Sequence, residues 1–403
     1  MSIGHVARIC AQIACLFAFS VPAAHAGLTD SIAKFKQTVG SSFTQTAYYV
    51  GAQGQTAVAT PTLQMNSVRQ HLDQSRYAAR AMTVQVPRVS INGIFPQTFP
   101  QSSPGSAAAP YEITGSPPTG GGASADKPDP FERWGLFVNG DFDVARQSAV
   151  DTQLGFKTRT NSVTIGTDYR VSGNNVLGAS VAFLNSNSDL SAGAGTQDAK
   201  GYGFTFFGSF VPTADAYVDA IVNIGHNNYD GRRQSGTTSF SGDTSGNQWG
   251  FALSAGYAFN NGALAFTPYG RVEYVDAKVD GFTESGGSGV ATISDQRIKA
   301  TTLSLGAQAS YAISTSWGVL IPNGRIEFQH LANSSRSDLT AQSGSTAPVP
   351  ISVVGQDKNY GTFAVGASGV FGSGVTAFFN YQQLFGKSNV RDQLYTVGLR
   401  IDF

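Results

Sequence analysis

The last ten residues, LYTVGLRIDF, alternate between apolar and polar side chains up to the carboxyl terminus. One parity holds Tyr395, Val397, Leu399, Ile401 and Phe403, and the other holds Thr396, Gly398, Arg400 and Asp402. Side chains of a β-strand point alternately to its two faces, so this period predicts a strand with one apolar and one polar face. The aromatic terminal residue lies on the apolar face, and we expect that face to avoid water.

The same alternation continues through residues 131–403, in roughly twelve segments separated by turn sequences such as SGNN, FNNG and ESGGSG. Examples are SVTIGTDYRV, GYGFTFFGSF, QWGFALSAGYAFN, TLSLGAQASYA and VTAFFNYQQ. An even number of strands allows an antiparallel sheet to close on itself, and a sheet in lipid must close because open edges are not tolerated there. The pattern predicts an all-β, twelve-stranded antiparallel transmembrane β-barrel. Its last strand should pair with the first, FERWGLFVNGDFDVA.

A water-soluble β-sandwich is the alternative, and the position of the charges argues against it. Arg271 shares its parity with Glu273, and Arg325 shares its parity with Glu327, whereas the intervening positions are apolar or aromatic. Charges beside small polar residues on one face indicate a wet lumen, with the apolar face toward lipid. The residues that we assign to the polar lumen are Asp168, Asp219, Arg271, Glu273, Arg325 and Glu327.

Composition supports a β protein whose outer face does not meet water. Charged residues make up 13% of the chain, about half the usual quarter of a soluble domain. The 26 basic and 26 acidic residues balance, so no excess of positive charge suggests a nucleic-acid partner. We expect a monomeric barrel whose outer face contacts lipid.

Residues 1–26 have the features of a cleaved signal peptide: Arg8, an apolar stretch over residues 9–21, and an A-x-A site that ends at Ala26. Both cysteines, Cys10 and Cys15, lie in this segment. The mature chain would therefore lack cysteine, which excludes disulfides, thiolate metal sites and cysteine nucleophiles.

Residues 27–95 contain two candidate helices. Apolar residues from Leu28 to Phe43 recur with helical spacing, and a polar segment over Thr62–Met82 has only Val68 and Leu72 as an apolar pair. Residues 96–130 are rich in Pro, Gly, Ser and Ala without a period, which predicts a linker between a short helical region and a barrel domain over 131–403.

The sequence predicts no catalytic site, cofactor or metal site. No G-x-S-x-G, H-E-x-x-H, P-loop or complete G-x-G-x-x-G motif occurs. His226 and His330 could each act as a base with a nearby serine and acid, as in outer-membrane lipases. We favour the simpler interpretation that they are strand-end histidines near the membrane interface.

Four stretches carry a resemblance to a known family: VTIGTDYRVSGNNVLGASVAF, GYGFTFFGSFVPTADAYVDAIVNIGHNNYDGRR, LAFTPYGRVEYVDAKVDGFTESG and LYTVGLRIDF. The third, with Pro268, Tyr269, Gly281, Phe282, Glu284 and Gly286, is the most specific. With these stretches, the region from Trp134 to Phe403 resembles the translocator domain of type V autotransporters. The resemblance implies an outer-membrane barrel of a Gram-negative bacterium through which an N-terminal passenger reaches the cell surface.

It also implies a helix lodged in the pore, for which VRQHLDQSRYAAR is the candidate, with Arg69, Asp73, Arg76 and Arg80. The partners that the resemblance implies are outer-membrane lipids, the inner-membrane secretion machinery, periplasmic chaperones and the barrel assembly machinery. In this family assembly reads an aromatic last residue, so the expected signal is Tyr395, Val397, Leu399, Ile401 and Phe403.

The chain departs from the family in two respects. Residues 27–130 are shorter than a typical passenger and lack its repeats. Members that cleave themselves use an Asn-Asn pair in the pore helix, whereas only Asn66 occurs there. A channel or adhesion barrel, with residues 27–130 as a periplasmic plug, therefore stays as an alternative.

Overall fold

The computed structural model describes residues 41–83, 133–149, 154–172, 175–287, 289–344, 347–351, 357–371 and 374–403. The predicted signal peptide with Ala26 and the predicted linker over 96–130 lie outside these residues. The described residues form one long helix, α1 (Ser41–Thr83), and a barrel that surrounds it.

Twelve long strands form the wall of the barrel within the described ranges. In chain order they are β1 (Trp134–Gln147), β2 (Phe156–Ser172), β3 (Asn175–Leu190), β4 (Gly195–Phe210), β5 (Ala216–Ser235), β6 (Thr238–Tyr257), β7 (Leu264–Val279), β8 (Gln296–Tyr311), β9 (Gly318–Arg336), β10 (Asn359–Phe371), β11 (Val375–Phe385) and β12 (Val390–Asp402). Each strand pairs antiparallel with its neighbours in this order. The predicted fold class is confirmed.

The barrel closes between its first and last strands. β1 pairs with β12 in a register that sets Val138 opposite Leu399. At the end of this seam the Trp134 amide donates to the Phe403 carbonyl oxygen at 3.1 Å, and the Phe403 amide donates to the Trp134 carbonyl oxygen at 3.0 Å. The predicted pairing of the last strand with the first is confirmed, and no free edge is left at this seam.

The two faces of the wall differ in chemistry. Outward positions are apolar and exposed: Val397 is 55% exposed and Phe403 is 52% exposed. Inward positions are mostly polar and buried, as with Asn139, Thr164 and Asn223. A continuous apolar outer band around a polar interior is the arrangement of a barrel whose solvent is lipid.

The two ends of the barrel also differ. Trp134 and Phe403 lie at one end, where the connections between strands are short, such as 211–215 and 312–317; we call it the turn end. The opposite end, which we call the loop end, has the long connections over 280–295 and 337–358.

Short elements lie in the connections. At the loop end, Phe282–Thr283, Thr292–Ile293, Thr340–Gln342 and Val349–Pro350 form a small four-stranded sheet. The other short elements are the strands Phe259–Asn261, Ser285–Gly286 and Ile313–Ser314 and the 3-10 turn Ser191–Gly193.

The helical region differs from the prediction of two separate helices. α1 is continuous from Ser41 to Thr83 and includes residues 51–61, which were assigned to neither candidate. Residues before Ser41 lie outside the described part of the chain. The stretch GAQGQTAVATP has no apolar stripe, because its surroundings are a polar lumen rather than an apolar core. Within the described ranges, no helix combines the length and apolar character needed to cross a bilayer.

Candidate functional site

α1 passes through the lumen from the loop end to the turn end. Near its start, Tyr49 packs in an apolar cluster with Ile293 of the loop-end sheet. Near its end, Tyr77 packs with Ala312, which directly follows β8 at the turn end. Thirty helical residues span about 45 Å, close to the height of a tilted 16-residue strand, about 40 Å. The helix therefore fills the full height of the barrel, with its amino end at the loop end.

The centre of the lumen holds a buried cluster around Glu327. Arg69 of α1 donates to Glu327 Oε2 at 3.2 Å, and the Tyr269 hydroxyl donates to the same oxygen at 2.7 Å. Arg271 donates to the other oxygen, Oε1, at 2.7 Å. Arg69 also donates to Asn66 Oδ1 one turn earlier in α1. The carboxylate of Glu327 thus joins the helix to strands β7 and β9.

Glu273 extends this cluster along β7. The hydroxyl of Thr62 on α1 donates to Glu273 Oε1 at 2.8 Å. Arg271 Nε lies 3.8 Å from Glu273 Oε2, so the same guanidinium faces both carboxylates. This ladder of alternating charge fixes the rotation of the helix about its axis.

A second charged cluster lies one to two turns further along α1. Arg76 donates to Asp219 Oδ1 of β5 at 2.9 Å and to Asp73 Oδ1 within the helix at 2.7 Å. Asp73 Oδ2 also lies 3.5 Å from Arg325 Nη1 of β9. The Arg76 guanidinium stands 3.9 Å over the ring of Tyr217. Opposite charges on helix and wall therefore meet on both sides of α1.

A third cluster joins the helix to the closing seam. His71 of α1 is fully buried, and its Nε2 lies 2.8 Å from Asp168 Oδ2 of β2 and 3.0 Å from Arg400 Nη1 of β12. Its ring stacks on Phe137 of β1 at a centroid distance of 3.7 Å. One helical residue thus contacts all three strands at the seam.

Apolar contacts support these polar ones on one side of the helix. Met65, Val68 and Leu72 recur at helical spacing and are buried against the wall. Their apolar neighbours include Phe137, Val176, Phe207, Ile221 and Val275. The apolar pair seen in the sequence, Val68 and Leu72, thus packs with Met65 against one apolar part of the lumen.

Two glycines of the wall make room for the helix. A Cβ added to Gly203 would lie 2.1 Å from Gln64 Oε1, and one added to Gly231 would lie 1.7 Å from a ring carbon of Tyr49. Real Cβ atoms do not approach other atoms so closely. The absence of a side chain at Gly231 leaves room for the buried Tyr49 ring, and its absence at Gly203 leaves room for the Gln64 amide.

At the loop end, a cap of loop residues packs around α1 at residues 49–52. Tyr49, Val50 and Ala52 pack with loop residues that include Leu339 and Ala341. Beneath this cap, Arg233 of β5 forms a buried bidentate pair with Glu284, with two N–O distances of 2.6 Å. The Tyr49 hydroxyl donates to the Gly242 carbonyl oxygen at 3.1 Å. Loops, wall and helix are thus locked together at this end.

A cavity of about 290 Å³ lies beside α1. Its lining includes Asn66, Arg69, Glu273, Tyr360, Lys387 and Asp392. Lys387 lies in the turn between β11 and β12, and burial lowers the pKa of its ammonium group. The helix therefore does not fill the whole cross-section of the lumen.

The structure places all six predicted lumen residues on the inner face, and each takes part in a cluster described above. Arg69, Asp73 and Arg76 of the predicted pore helix face these residues. Arg80 lies in α1, but its side chain is outside the described part of the structure.

His71 and Arg400 were not among the predicted site residues. In the sequence, the spacing of neither residue indicates Asp168 as its partner. Arg400 reaches Asp168 through the register of β12, β1 and β2, and His71 reaches it through the docking of α1. The two histidines considered as bases lie elsewhere: His226 Nδ1 is 2.9 Å from Asn247 Oδ1, and His330 Nδ1 is 2.7 Å from Asn359 Oδ1. Each of these side-chain partners is an amide.

A closed, lipid-facing barrel that holds the preceding helix in its lumen is the architecture of an autotransporter translocator. The family model described as "Autotransporter beta-domain" matches residues 136–382, more than half of the chain. The chain belongs to this family, and the predicted resemblance is confirmed. It is an outer-membrane barrel of the type V secretion class in a Gram-negative bacterium.

The similarities to individual proteins are low in sequence identity and cover only part of the chain. The translocator domain of the autotransporter NalP from Neisseria meningitidis superposes with a TM-score of 0.55 at 15% identity, covering 67% of this chain and 88% of that one. The putative uncharacterized protein YaiT of Escherichia coli is 28% identical over 144 residues, which are 32% of this chain and 15% of YaiT. Esterase EstA of Pseudomonas aeruginosa is 27% identical over 199 residues, 45% of this chain and 30% of EstA. The chain spans less than a third of the length of these curated relatives.

Proposed function

We propose that this barrel delivers the segment that precedes α1, residues 27–40, to the cell surface and keeps α1 in the lumen as its connection. The observation that carries the proposal is the direction of the helix. Tyr49 lies at the loop end and Tyr77 at the turn end. Outer-membrane barrels have short periplasmic turns and longer extracellular loops. The chain before Ser41 would therefore start outside the cell.

The domain division is proposed on the sequence pattern, and the positions of α1 and β1 support it. We propose a cleaved signal peptide over 1–26, a short passenger and pore-helix region over 27–95, a linker over 96–130 and the barrel over 131–403. Residues 84–133 connect Thr83, where α1 ends, to Trp134, where β1 begins, and both positions lie at the turn end. The linker would then remain in the periplasm.

The partners that we propose act before this state is reached. The inner-membrane secretion machinery would recognise the signal peptide, and periplasmic chaperones and the barrel assembly machinery would receive the unfolded strands. Autotransporter barrels are assembled by outer-membrane machinery in general. The proposed role assigns no reaction to the barrel, although an esterase is among its distant relatives.

The test compares two insertions of one protease site with an epitope tag, placed either between residues 27 and 40 or between residues 96 and 130. In intact cells, added protease should remove the first tag and leave the second intact. After the outer membrane is permeabilised, both should be cut. Protection of the first tag in intact cells, in a correctly folded barrel, would favour the channel with a periplasmic plug.

A further inference from the structure

Three basic residues meet on the outer face of the barrel at the loop end. Arg391 of β12 lies directly opposite Arg146 of β1, and Arg146 lies directly opposite Lys157 of β2. Their parity is that of the lipid-facing residues Phe142, Val163 and Val397 in the same strands. All three side chains therefore point away from the lumen. We call these three residues the basic triplet.

The basic triplet brings like charges close together. Directly opposite residues in an antiparallel pair have Cα atoms about 4.5–5.5 Å apart, and like charges at such positions destabilise a sheet. Among the described residues no carboxylate forms an ion pair with any of the three. Asp189 of β3 lies directly opposite Lys157, but its Oδ2 pairs with Nη1 of the neighbouring Arg159 at 3.1 Å. An anion from outside the chain would relieve the repulsion.

The triplet also lies at a defined depth. Phe142 and Tyr395 form a ring pair on the outer face with centroids 6.3 Å apart. Arg146 and Arg391 lie four residues further toward the loop end on each strand, about 13 Å along the strand and about 10 Å along the barrel axis. Aromatic residues mark the boundary of the hydrocarbon region in such barrels. The triplet is therefore level with lipid head groups.

The far side of the barrel shows that this arrangement is not a general feature of the rim. There, Lys278 of β7 and Arg297 and Lys299 of β8 also point outward. Lys278 pairs with Asp280 at 3.2 Å. Arg297 and Lys299 lie 2.7 and 3.9 Å from Asp276 Oδ2. Each of these three cations thus has a carboxylate partner, with Asp276 shared by two of them.

We propose that the basic triplet of Arg146, Lys157 and Arg391 binds the phosphate groups of a lipid with a multiply phosphorylated head group in the outer leaflet. Guanidinium groups bind phosphate oxygens with two parallel hydrogen bonds, and an ammonium group adds a point charge. Three adjacent cations match two neighbouring phosphates better than one. The aromatic residues below would contact the acyl chains of the same lipid. The seam between the first and last strands is then covered by a bound lipid.

The test uses the full mature chain in detergent with diphosphoryl lipid A as the probe and native mass spectrometry as the readout. The variant R146Q/K157Q/R391Q should bind this lipid about tenfold more weakly, because several charge-assisted contacts are lost. The matched control K278Q/R297Q/K299Q loses the same number of charges and should change binding by no more than about twofold. Equal losses in both variants, or no loss in the first, would overturn the proposal.

Two further arms separate the possible ligands. The unaltered chain should bind monophosphoryl lipid A more weakly than diphosphoryl lipid A. The triplet variant should bind the two lipids equally weakly. Millimolar inorganic phosphate should leave the bound lipid in place. Displacement by inorganic phosphate would indicate a site for the free ion and would overturn the proposed lipid site. If the triple variant does not fold, R146Q alone, at the centre of the triplet, should weaken binding more than R297Q.

Discussion

Arg400 of β12 reaches over β1 to bind Asp168 of β2, with Nη2 donating to Asp168 Oδ1 at 3.1 Å. The residue beneath this pair is Gly135 of β1, which lies opposite Asp168 in the register of the sheet. A Cβ at Gly135 would lie 2.4 Å from Arg400 Nη2. The ion pair thus joins two strands that are not neighbours and spans the seam where the barrel closes. His71 adds the helix to the same pair.

We expect Arg400→Gln to lower the stability of the closed barrel. It leaves Asp168 buried with only His71 as a partner, and breaking a buried ion pair costs about 3–5 kcal/mol. The measurement is the temperature at which the folded band of an unheated sample converts to the unfolded band on detergent electrophoresis. The double variant D168N/R400Q should lose less than the two single variants together, because the two residues interact. Strict additivity would show that the pair does not stabilise the seam.

Neighbouring residues on β9 should respond in opposite ways to substitution. Glu327 is 1% exposed and faces the lumen, whereas Phe328 is 49% exposed and faces lipid. Glu327→Leu should leave insertion intact but release α1, because Arg69 and Arg271 lose their shared partner. Phe328→Arg should hinder insertion, at a cost of about 2–4 kcal/mol near the midplane and less toward the interfaces.

The readouts for this pair are the yield of heat-modifiable barrel in membranes and the conductance of the purified protein in planar bilayers. Glu327→Leu should raise conductance at normal yield, and Phe328→Arg should lower yield. The same effect from both substitutions would contradict the assignment of the two faces.

Gly203→Val should weaken docking of the helix and leave the barrel intact. The new side chain occupies the place of Gln64 Oε1, so the Gln64 amide must turn away and lose the hydrogen bond that it accepts from Asn223 Nδ2 at 2.8 Å. Gly140→Val is the matched control, since a Cβ there meets only Val397 Cγ2 at 3.6 Å on the outer face. Protease protection of residues 41–83 in the purified barrel is the measurement. Full protection in Gly203→Val would mean that the helix does not depend on this close approach.

Deleting Phe403 should slow assembly more than it destabilises the product. The deletion removes a lipid-facing ring worth roughly 1.5–3 kcal/mol by burial, and it removes the two backbone hydrogen bonds to Trp134. The rest of the β1–β12 register stays paired. Pulse-chase appearance of the heat-modifiable form should be delayed, while its conversion temperature changes little. A normal rate of appearance would argue against Phe403 as an assembly signal.

The barrel could be predicted because lipid and water impose opposite demands on alternate residues. Tyr395 to Phe403 show this period without interruption, and it recurs in every long strand. The predicted parity of Glu273 and Glu327 needed no knowledge of their partners. The parity of a residue in its strand decides whether its side chain faces lipid or the lumen. That assignment is sufficient to predict the chemistry of the barrel wall.

The contacts of the lumen could not be predicted in the same way. Arg400 meets Asp168 only through the register of three strands, and register depends on turns and on closure. The helix was underestimated because residues 51–61 contain Gly51, Gly54 and Pro61, which weaken an isolated helix. In the lumen, wall residues hydrogen-bond the helix from several sides, as Gln296 does to the Val50 carbonyl oxygen at 3.3 Å. The contacts with the barrel wall therefore stabilise a helical conformation that the local sequence alone does not favour.

α1 ends at the turn end of the barrel, where β1 also begins, and residues 84–133 connect the two elements. Fully extended, a chain of that length reaches more than about 150 Å, over twice the length of α1, about 65 Å. A connection of this length does not limit where α1 lies along the pore axis. The position of α1 is therefore set by its contacts with the wall. A pull on α1 from the surface would be resisted by these contacts and not by its covalent attachment to β1.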